Sequence, residues 1–249
     1  MIETLKESLV QLKLKGFADN LEFRIEQATK GKMNFPEFLQ CLVEDEKIRR
    51  DKKAYFVRLL NSGLNASKTL DNFDFAFQPS IDKEKITGLA TCEFVRRRSK
   101  ILLLGLSGGG KSHLVNAIGL AAVEKGFHVQ KFKSNRLVED LLKTKKAGSQ
   151  QAFIKRVIKN DFVIIDEFAL RPYPEGGTAE LQGLLDEHCA VAITSNRDFA
   201  DWEPFFDDKT VASAFTDRAV HDGTIIRITG GKSYRTKNYE SIDNTERKE

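Results

Sequence analysis

From Ile101 onward the sequence predicts an α/β fold, a parallel sheet flanked by helices, preceded by a small all-helical N-terminal domain. Three observations carry that expectation. Short apolar runs alternate with amphipathic stretches, the pattern of strand–helix–strand units. One such run, Ile101 to Leu104, leads directly into Gly105-Leu106-Ser107-Gly108-Gly109-Gly110-Lys111-Ser112, a glycine-rich turn that opens a helix. Residues 2–62, in contrast, hold helical periodicity, one proline and almost no strand-like run.

The N-terminal helices are read from their apolar faces. Leu5, Leu9 and Leu12 share one face, and after Gly16 the set Phe17, Leu21, Ile25 and Ala28 forms another. Asn34-Phe35-Pro36-Glu37 has the form of an N-cap with an acid three residues on, and its proline is tolerated in a first turn. Phe38, Leu39, Leu42 and Val43 give that helix its apolar side. Residues 63–80, with Gly63, Asn65, Asn72 and Pro79, read as a connector.

In the second part, Gly126 stops the helix that begins at Lys111, and Phe127 to Phe132 forms the next strand. Helical segments at about 135–146 and 150–159 precede a buried strand, Phe162 to Ile165, that ends in Asp166-Glu167. A further strand, Ala190 to Thr194, ends in Ser195-Asn196, and a helix from Val211 to Val220 carries Asp217-Arg218. The expected domains are 1–65 (helical), 66–99 (connector and start of the core), 100–236 (core) and 237–249 (polar tail).

Composition bounds the function. The 249 residues suit one α/β domain with a small appendage, and 41% hydrophobic with 31% charged residues excludes a disordered chain. No apolar stretch approaches the roughly 18 residues a membrane span needs, so no membrane partner is expected. Met1-Ile2-Glu3-Thr4 lacks the basic and apolar regions of a signal peptide. Cys41, Cys92 and Cys189 are widely separated, without metal-ligand spacing, which suggests a reducing compartment and a cytoplasmic protein. The net charge of +4 means that any nucleic-acid binding must come from local patches.

The glycine-rich turn is the phosphate loop of nucleoside-triphosphate-binding proteins. Its glycines let backbone N–H groups turn inward around an anion, and the following helix adds its positive end. Gly105, Ser107, Gly108, Gly109, Gly110, Lys111, Ser112 and the adjoining His113 are the candidate nucleotide-binding residues. Lys111 reaches the β- and γ-phosphates, and the Ser112 hydroxyl ligates Mg²⁺. An α/β sheet binds ligands at the carboxyl ends of its strands. Asp166 would therefore hold Mg²⁺, usually through water, and Glu167 would orient or deprotonate the attacking water. Asn196 either senses the γ-phosphate or simply ends a strand. Arg218 is either an arginine finger for a neighbouring subunit or one half of a surface ion pair.

Gly-Lys-Ser-His-Leu (110–114), Ile-Ile-Asp-Glu-Phe (164–168), Ile-Thr-Ser-Asn (193–196), Asp-Arg (217–218) and Gly-Lys-Ser-Tyr-Arg (231–235) occur in that order. This set resembles the IstB type of ATPase, the transposition helper of bacterial insertion sequences. That type is a sister of the DnaC helicase loaders and DnaA initiators in the AAA+ class. Leu14-Lys15-Gly16-Phe17-Ala18 and Leu70-Asp71-Asn72-Phe73-Asp74-Phe75 resemble family segments in the helical N-terminal region and at the start of the ATPase core. The resemblance implies a P-loop AAA+ core and ATP hydrolysis. It also implies a homo-oligomer formed with ATP on double-stranded DNA, which it bends, and a transposase partner encoded by the same element. By position Asn196 matches the sensor, Arg218 the inter-subunit finger, and Arg235 a second nucleotide sensor. The alternative is a replicative helicase loader of the DnaC type, whose helical domain grips a helicase; a nucleotide-binding protein without productive hydrolysis is a third reading.

Three departures from the family pattern stand out. Leu106 takes the place of a proline, Gly109 that of a larger residue, and the stretch from Leu184 to Ala190 is several residues shorter, without a basic run. For DNA contact, Lys47-Ile48-Arg49-Arg50-Asp51-Lys52-Lys53 offers Arg49, Arg50, Lys52 and Lys53 on one predicted helix. Glu44, Asp45 and Glu46 precede them, so a solvated face of local ion pairs is the competing reading. Arg96-Arg97-Arg98 with Lys100 forms a second basic cluster.

Overall fold

The computed structural model describes residues 1–185, 189–229, 233 and 234. The chain divides into two compact units, Met1–Val57 and Arg58–Glu249. The break falls eight residues before the boundary expected at 65, inside a continuous helix rather than in the connector.

The first unit contains α1 (Ile2–Gln11), α2 (Lys15–Gly31) and most of α3 (Phe35–Ser62). The capping pattern expected at Asn34 is present: its side-chain oxygen accepts the Glu37 N–H at 3.0 Å, and Glu37 Oε2 accepts the Asn34 N–H at 3.1 Å. Two acids on α3 tie that helix to α2. Asp45 takes both Nε and Nη2 of Arg24, at 2.8 and 2.7 Å. Glu46, 5% exposed, accepts the Gly16 N–H at 2.5 Å. The helices meet so closely there that a Cβ on Gly16 would stand 2.7 Å from Glu46 Cα.

The second unit carries α4 (Lys83–Leu89), α5 (Glu93–Arg96), β1 (Lys100–Gly105), α6 (Lys111–Glu124), β2 (Val129–Lys133), α7 (Ser134–Lys146) and α8 (Gln150–Ile158). It continues with β3 (Phe162–Phe168), α9 (Gly177–Leu185), β4 (Ala190–Ser195), α10 (Lys209–Val220) and β5 (Gly223–Ile228). The five strands are parallel, in the order β2-β3-β4-β1-β5. Ile101 to Leu104 are all at most 1% exposed, the continuous apolar run that a strand covered on both faces requires. α6 is buried nearly all round, so its sequence shows little amphipathic contrast.

Strand β5 and helix α9 lie outside the expected element list. β5 borders the sheet beside β1 and is only partly covered, and its Thr224 and Arg227 interrupt the apolar run that marked the other strands. The strand expected from Phe127 begins at Val129. β3 runs on past the expected Ile165 to Phe168, through a bulge between those two residues. An aromatic cluster explains that extension: Phe168 is fully buried and stacks on Phe215 at 4.9 Å, with Trp202 edge-on at 4.6 Å. Burying one such ring contributes about 1.5–3 kcal/mol. Of the stretch noted as short, α9 ends at Leu185 and β4 begins at Ala190, and residues 186–188 lie outside the described residues.

Candidate nucleotide-binding site

β3, β4 and β1 are neighbours in the sheet, so their carboxyl ends bring three sequence motifs together. These are Asp166-Glu167, Thr194 to Asn196, and the loop 105–112. The crossover to β2 at the far edge and the return through β3 and β4 place them around one crevice, where a parallel sheet receives ligands.

The loop has the backbone that anion binding needs. Gly108 and Gly110 adopt φ of +80° and +90°, a region costly for any side chain. Space also demands glycine at position 110, because a Cβ there would stand 2.5 Å from the Phe73 ring. Lys111 is 6% exposed, and its Nζ donates to the carbonyls of Gly105 and Leu106 at 2.6 and 2.7 Å. The ammonium thus bridges the mouth of its own loop. Ser112 Oγ donates to Asp166 Oδ1 at 2.9 Å, and His113 Nε2 donates to the Thr69 carbonyl at 2.7 Å.

The acidic pair is held from three sides. Asp166 is 4% exposed; Oδ1 also receives the Thr194 hydroxyl, and Oδ2 lies 2.8 Å from Lys131 Nζ. Burial alone would raise the Asp166 pKa, but Lys131 and the two hydroxyls outweigh it and hold the carboxyl below its ordinary value. Glu167 sits at φ +61° and Ala169 at +52°. Such conformations cost about 1–3 kcal/mol each and persist only where neighbours enforce them. Here the Glu167 N–H donates to Thr194 Oγ1 at 3.0 Å, its carbonyl accepts the Ser134 hydroxyl at 2.8 Å, and the Ala169 N–H donates to Tyr173 Oη at 3.0 Å. The bulge in β3 presents Glu167 to the cleft, and Lys133 Nζ stands 3.1 Å from its Oε2.

Part of this set lines a cleft of about 510 Å³, and Asp166 itself stands outside the lining. Ser107, Gly108, Gly110, Lys111, Ser112, His113, Glu167 and Asn196 of the expected set face it, and Thr194 joins them. The opposite wall is aromatic and comes from the segment read as a connector: Phe73 and Phe77, with Tyr234 edge-on to Phe77 at 5.3 Å. That segment is clamped to α6 by Asn116, whose amide donates to the Asn65 and Lys68 carbonyls at 2.8 and 3.2 Å and accepts the Asn65 N–H at 2.9 Å. Residues 65–78 are therefore wall rather than linker.

Sequence reasoning missed Thr194, Asn116 and Lys131. The first was visible as a hydroxyl in Ile-Thr-Ser-Asn, and the last as a lysine between Gln130 and Phe132 in a strand. Gly105 and Gly109 shape the loop without lining the cleft, and Arg218 does not line it either: on α10 its Nη1 donates to the Ala214 carbonyl at 3.4 Å. Arg235 lies outside the described residues.

The donor set suits Mg²⁺. Ser112 and Asp166 offer hard oxygens 2.9 Å apart, and Mg²⁺ takes few protein ligands, drawing the rest from phosphates and water. Among the described residues there is no group of three or more His, Cys, Asp or Glu side chains that could hold a metal by themselves.

The basic residues fall into two situations. Arg49 and Arg50 both pair with Glu46, Nη2 and Nε standing 2.6 and 2.7 Å from Oε1, while Lys52 and Lys53 are exposed. In the second unit Arg96 pairs with Glu93, whereas Arg97, Arg98 and Lys100 line a separate cleft of about 350 Å³ with His221 and Asp222, at the amino ends of β1 and β5. Among the described residues no helix is long and apolar enough to cross a membrane.

The chain is similar to known proteins in sequence and in fold. The family model described as IstB-like ATP binding protein matches residues 7–241. The chain is similar to an insertion sequence IS21 putative ATP-binding protein of Pseudomonas aeruginosa, 34% identical over 232 residues, 92% of this chain and 87% of that one. It is also similar to an insertion sequence IS232 putative ATP-binding protein of Bacillus thuringiensis subsp. berliner, 32% identical over 246 residues, 97% and 98% of the two chains. In fold it resembles the crystal structure of the DnaC helicase loader, with a TM-score of 0.50 at 16% identity over 59% of this chain and 87% of that one. It likewise resembles AMPPCP-bound DnaA from Aquifex aeolicus, with a TM-score of 0.54 at 19% identity over 76% and 58%. The core is thus a P-loop AAA+ fold preceded in sequence by an all-helical N-terminal region, and the chain belongs to the family of IstB-like ATP binding proteins.

Proposed function

We propose that this protein is an ATPase that assembles with copies of itself on duplex DNA, bends it, and presents it to the transposase of its element. The observation that carries the reading is the convergence of Lys111, Ser112, Glu167 and Asn196 on one cleft beside an ionised Asp166. The family and the insertion-sequence relatives favour transposition over helicase loading, since the likeness to DnaC concerns the fold alone.

The chain's own groups divide the work. Backbone N–H groups of the loop receive the phosphates, and Lys111 turns from the Gly105 and Leu106 carbonyls to the β- and γ-phosphates. Phe73, Phe77 and Tyr234 offer the base an aromatic wall. Ser112 and Asp166 would hold Mg²⁺, which supplies neutralisation of phosphate charge. Glu167, on its strained turn, orients the attacking water and takes its proton. Asn196 hydrogen-bonds the γ-phosphate side of the cleft. Arg218, away from its own cleft, completes the site of a neighbouring copy. DNA contact is electrostatic and rests on backbone phosphates. Lys52 and Lys53 are its candidates in the helical unit, with Arg49 and Arg50 engaged by Glu46.

The test is ATP hydrolysis by purified protein with and without duplex DNA, beside Glu167→Gln. The reading expects DNA-stimulated turnover that the substitution removes. Turnover equal in the two proteins would contradict it.

A further inference from the structure

The acid assigned to the divalent ion already has a cation of its own. Lys131 leaves β2 at the register position opposite Ile164 and reaches along β3 to Asp166. Its Nζ stands 2.8 Å from Oδ2, and the two side chains are 15% and 6% exposed. The other oxygen, Oδ1, receives the Ser112 and Thr194 hydroxyls. Both carboxylate oxygens are therefore occupied by donors of this chain. Desolvating a lysine and ordering its stem are costly, so this pair differs from the exposed ion pairs elsewhere on the molecule.

We propose that Lys131 is an internal counter-cation that keeps a divalent ion off Asp166 until nucleotide phosphates arrive with it. The inference rests on the assignment of Asp166 to the metal. Without phosphates, an ion approaching Asp166 meets the Lys131 ammonium on the same carboxylate, and the Ser112 O–H points its proton at Asp166 rather than a lone pair at the ion. The one further carboxylate of the acidic pair, Glu167, is itself engaged by Lys133. Like charges this close repel strongly where water is scarce. A triphosphate brings several negative charges and reverses that balance. Lys131 then shares the phosphate charge with the metal, so nucleotide still binds measurably when metal is withheld. It is a positioning residue, acting on the metal through Asp166.

The test uses the whole protein as wild type, Lys131→Met and Lys131→Arg. Mn²⁺ binding without nucleotide is read by electron paramagnetic resonance of the free ion, and ADP affinity is measured in Mg²⁺ and in EDTA. Expected is no Mn²⁺ binding by the nucleotide-free wild type at sub-millimolar ion, and one bound ion in Lys131→Met. The ratio of ADP affinities with and without Mg²⁺ should rise about tenfold in the Met variant, while the Arg variant matches wild type. Mn²⁺ binding by the nucleotide-free wild type that Asp166→Asn abolishes would overturn the proposal, whether or not the Met variant folds. So would a Met variant with native circular dichroism and an unchanged affinity ratio. If Asp166→Asn leaves the Mg²⁺ dependence of ADP binding untouched, the metal assignment itself falls.

Discussion

The Thr194 hydroxyl accepts the backbone N–H of Glu167 at 3.0 Å and, with its own proton, donates to the Asp166 carboxylate. One side chain on β4 thus sets both acids at the end of β3. It holds the left-handed Glu167 backbone that turns this carboxylate toward the cleft while Asp166 stays buried beside Ser112.

Thr194→Val keeps the shape and removes both hydrogen bonds. A buried carboxylate short of a donor and an N–H short of an acceptor should cost about 1–3 kcal/mol of stability. ATP turnover should fall by about 100-fold from the displaced Glu167, as small misplacements of a reacting group do. Nucleotide affinity should change little, because the phosphate loop is untouched, and Thr194→Ser should restore turnover. Steady-state kinetics beside equilibrium binding of a fluorescent nucleotide checks this.

Lys111→Ala should abolish nucleotide binding at any turnover assay concentration, since the loop loses its only side-chain cation toward the phosphates. Glu167→Gln should bind nucleotide normally and accumulate an ATP-bound assembly, because binding does not need an activated water. Titration calorimetry and gel filtration separate the two phenotypes. Unchanged affinity in the first variant would remove the phosphate-loop assignment.

The convergence of the loop, the acidic pair and Asn196 was legible because each motif ends an apolar run, and a parallel sheet aligns the carboxyl ends of its strands. The aromatic wall was not legible. Phe73 and Phe77 sit among Asn and Asp residues that read as a connector, and contacts between residues far apart in sequence, the Asn116 clamp and the His113–Thr69 hydrogen bond, fold them against α6. β5 was hidden by its position on the sheet's edge, where half-exposure dilutes the apolar pattern. The Arg49–Arg50 cluster shows the opposite limit: charge density was visible, whereas its neutralisation by Glu46 depends on which helix face each residue takes.

On the proposal that its guanidinium completes a neighbour's site, Arg218→Ala should bind ATP as wild type and lose hydrolysis. Mixed with Lys111→Ala subunits, which lack nucleotide but keep Arg218, it should regain part of the activity. Absence of rescue across mixing ratios would return Arg218 to a structural role on α10.

Glu46 gives the helical unit a defined acid sensitivity. Its pKa is held down to about 2, from an ordinary 4.5, by Arg49 first, then by Arg50 and the Gly16 N–H against the opposing effect of burial. A depressed carboxylate stabilises the fold fully above its unfolded value and loses that contribution as pH falls through its folded one. Thermal stability should therefore decline between pH 4.5 and about 2 in wild type. Glu46→Gln should start lower and lose less over that window, as followed by circular dichroism.

Replacing Lys52 and Lys53 together by alanine should reduce the salt slope of duplex binding by about two units. Arg49→Ala should instead lower stability, since it leaves Glu46 buried with a partner missing. A slope unaltered by the lysine pair, in fluorescence anisotropy across a salt series, would return that helix face to solvent.

Sedimentation velocity of the protein with a duplex, in ATP, in ADP and without nucleotide, shows whether copies of this chain gather on DNA under nucleotide control. A fast-sedimenting complex containing many copies on one duplex, present in ATP, lost in ADP and retained longest by Glu167→Gln, is the predicted result. A single copy sedimenting alone beside free duplex under all three conditions would contradict it.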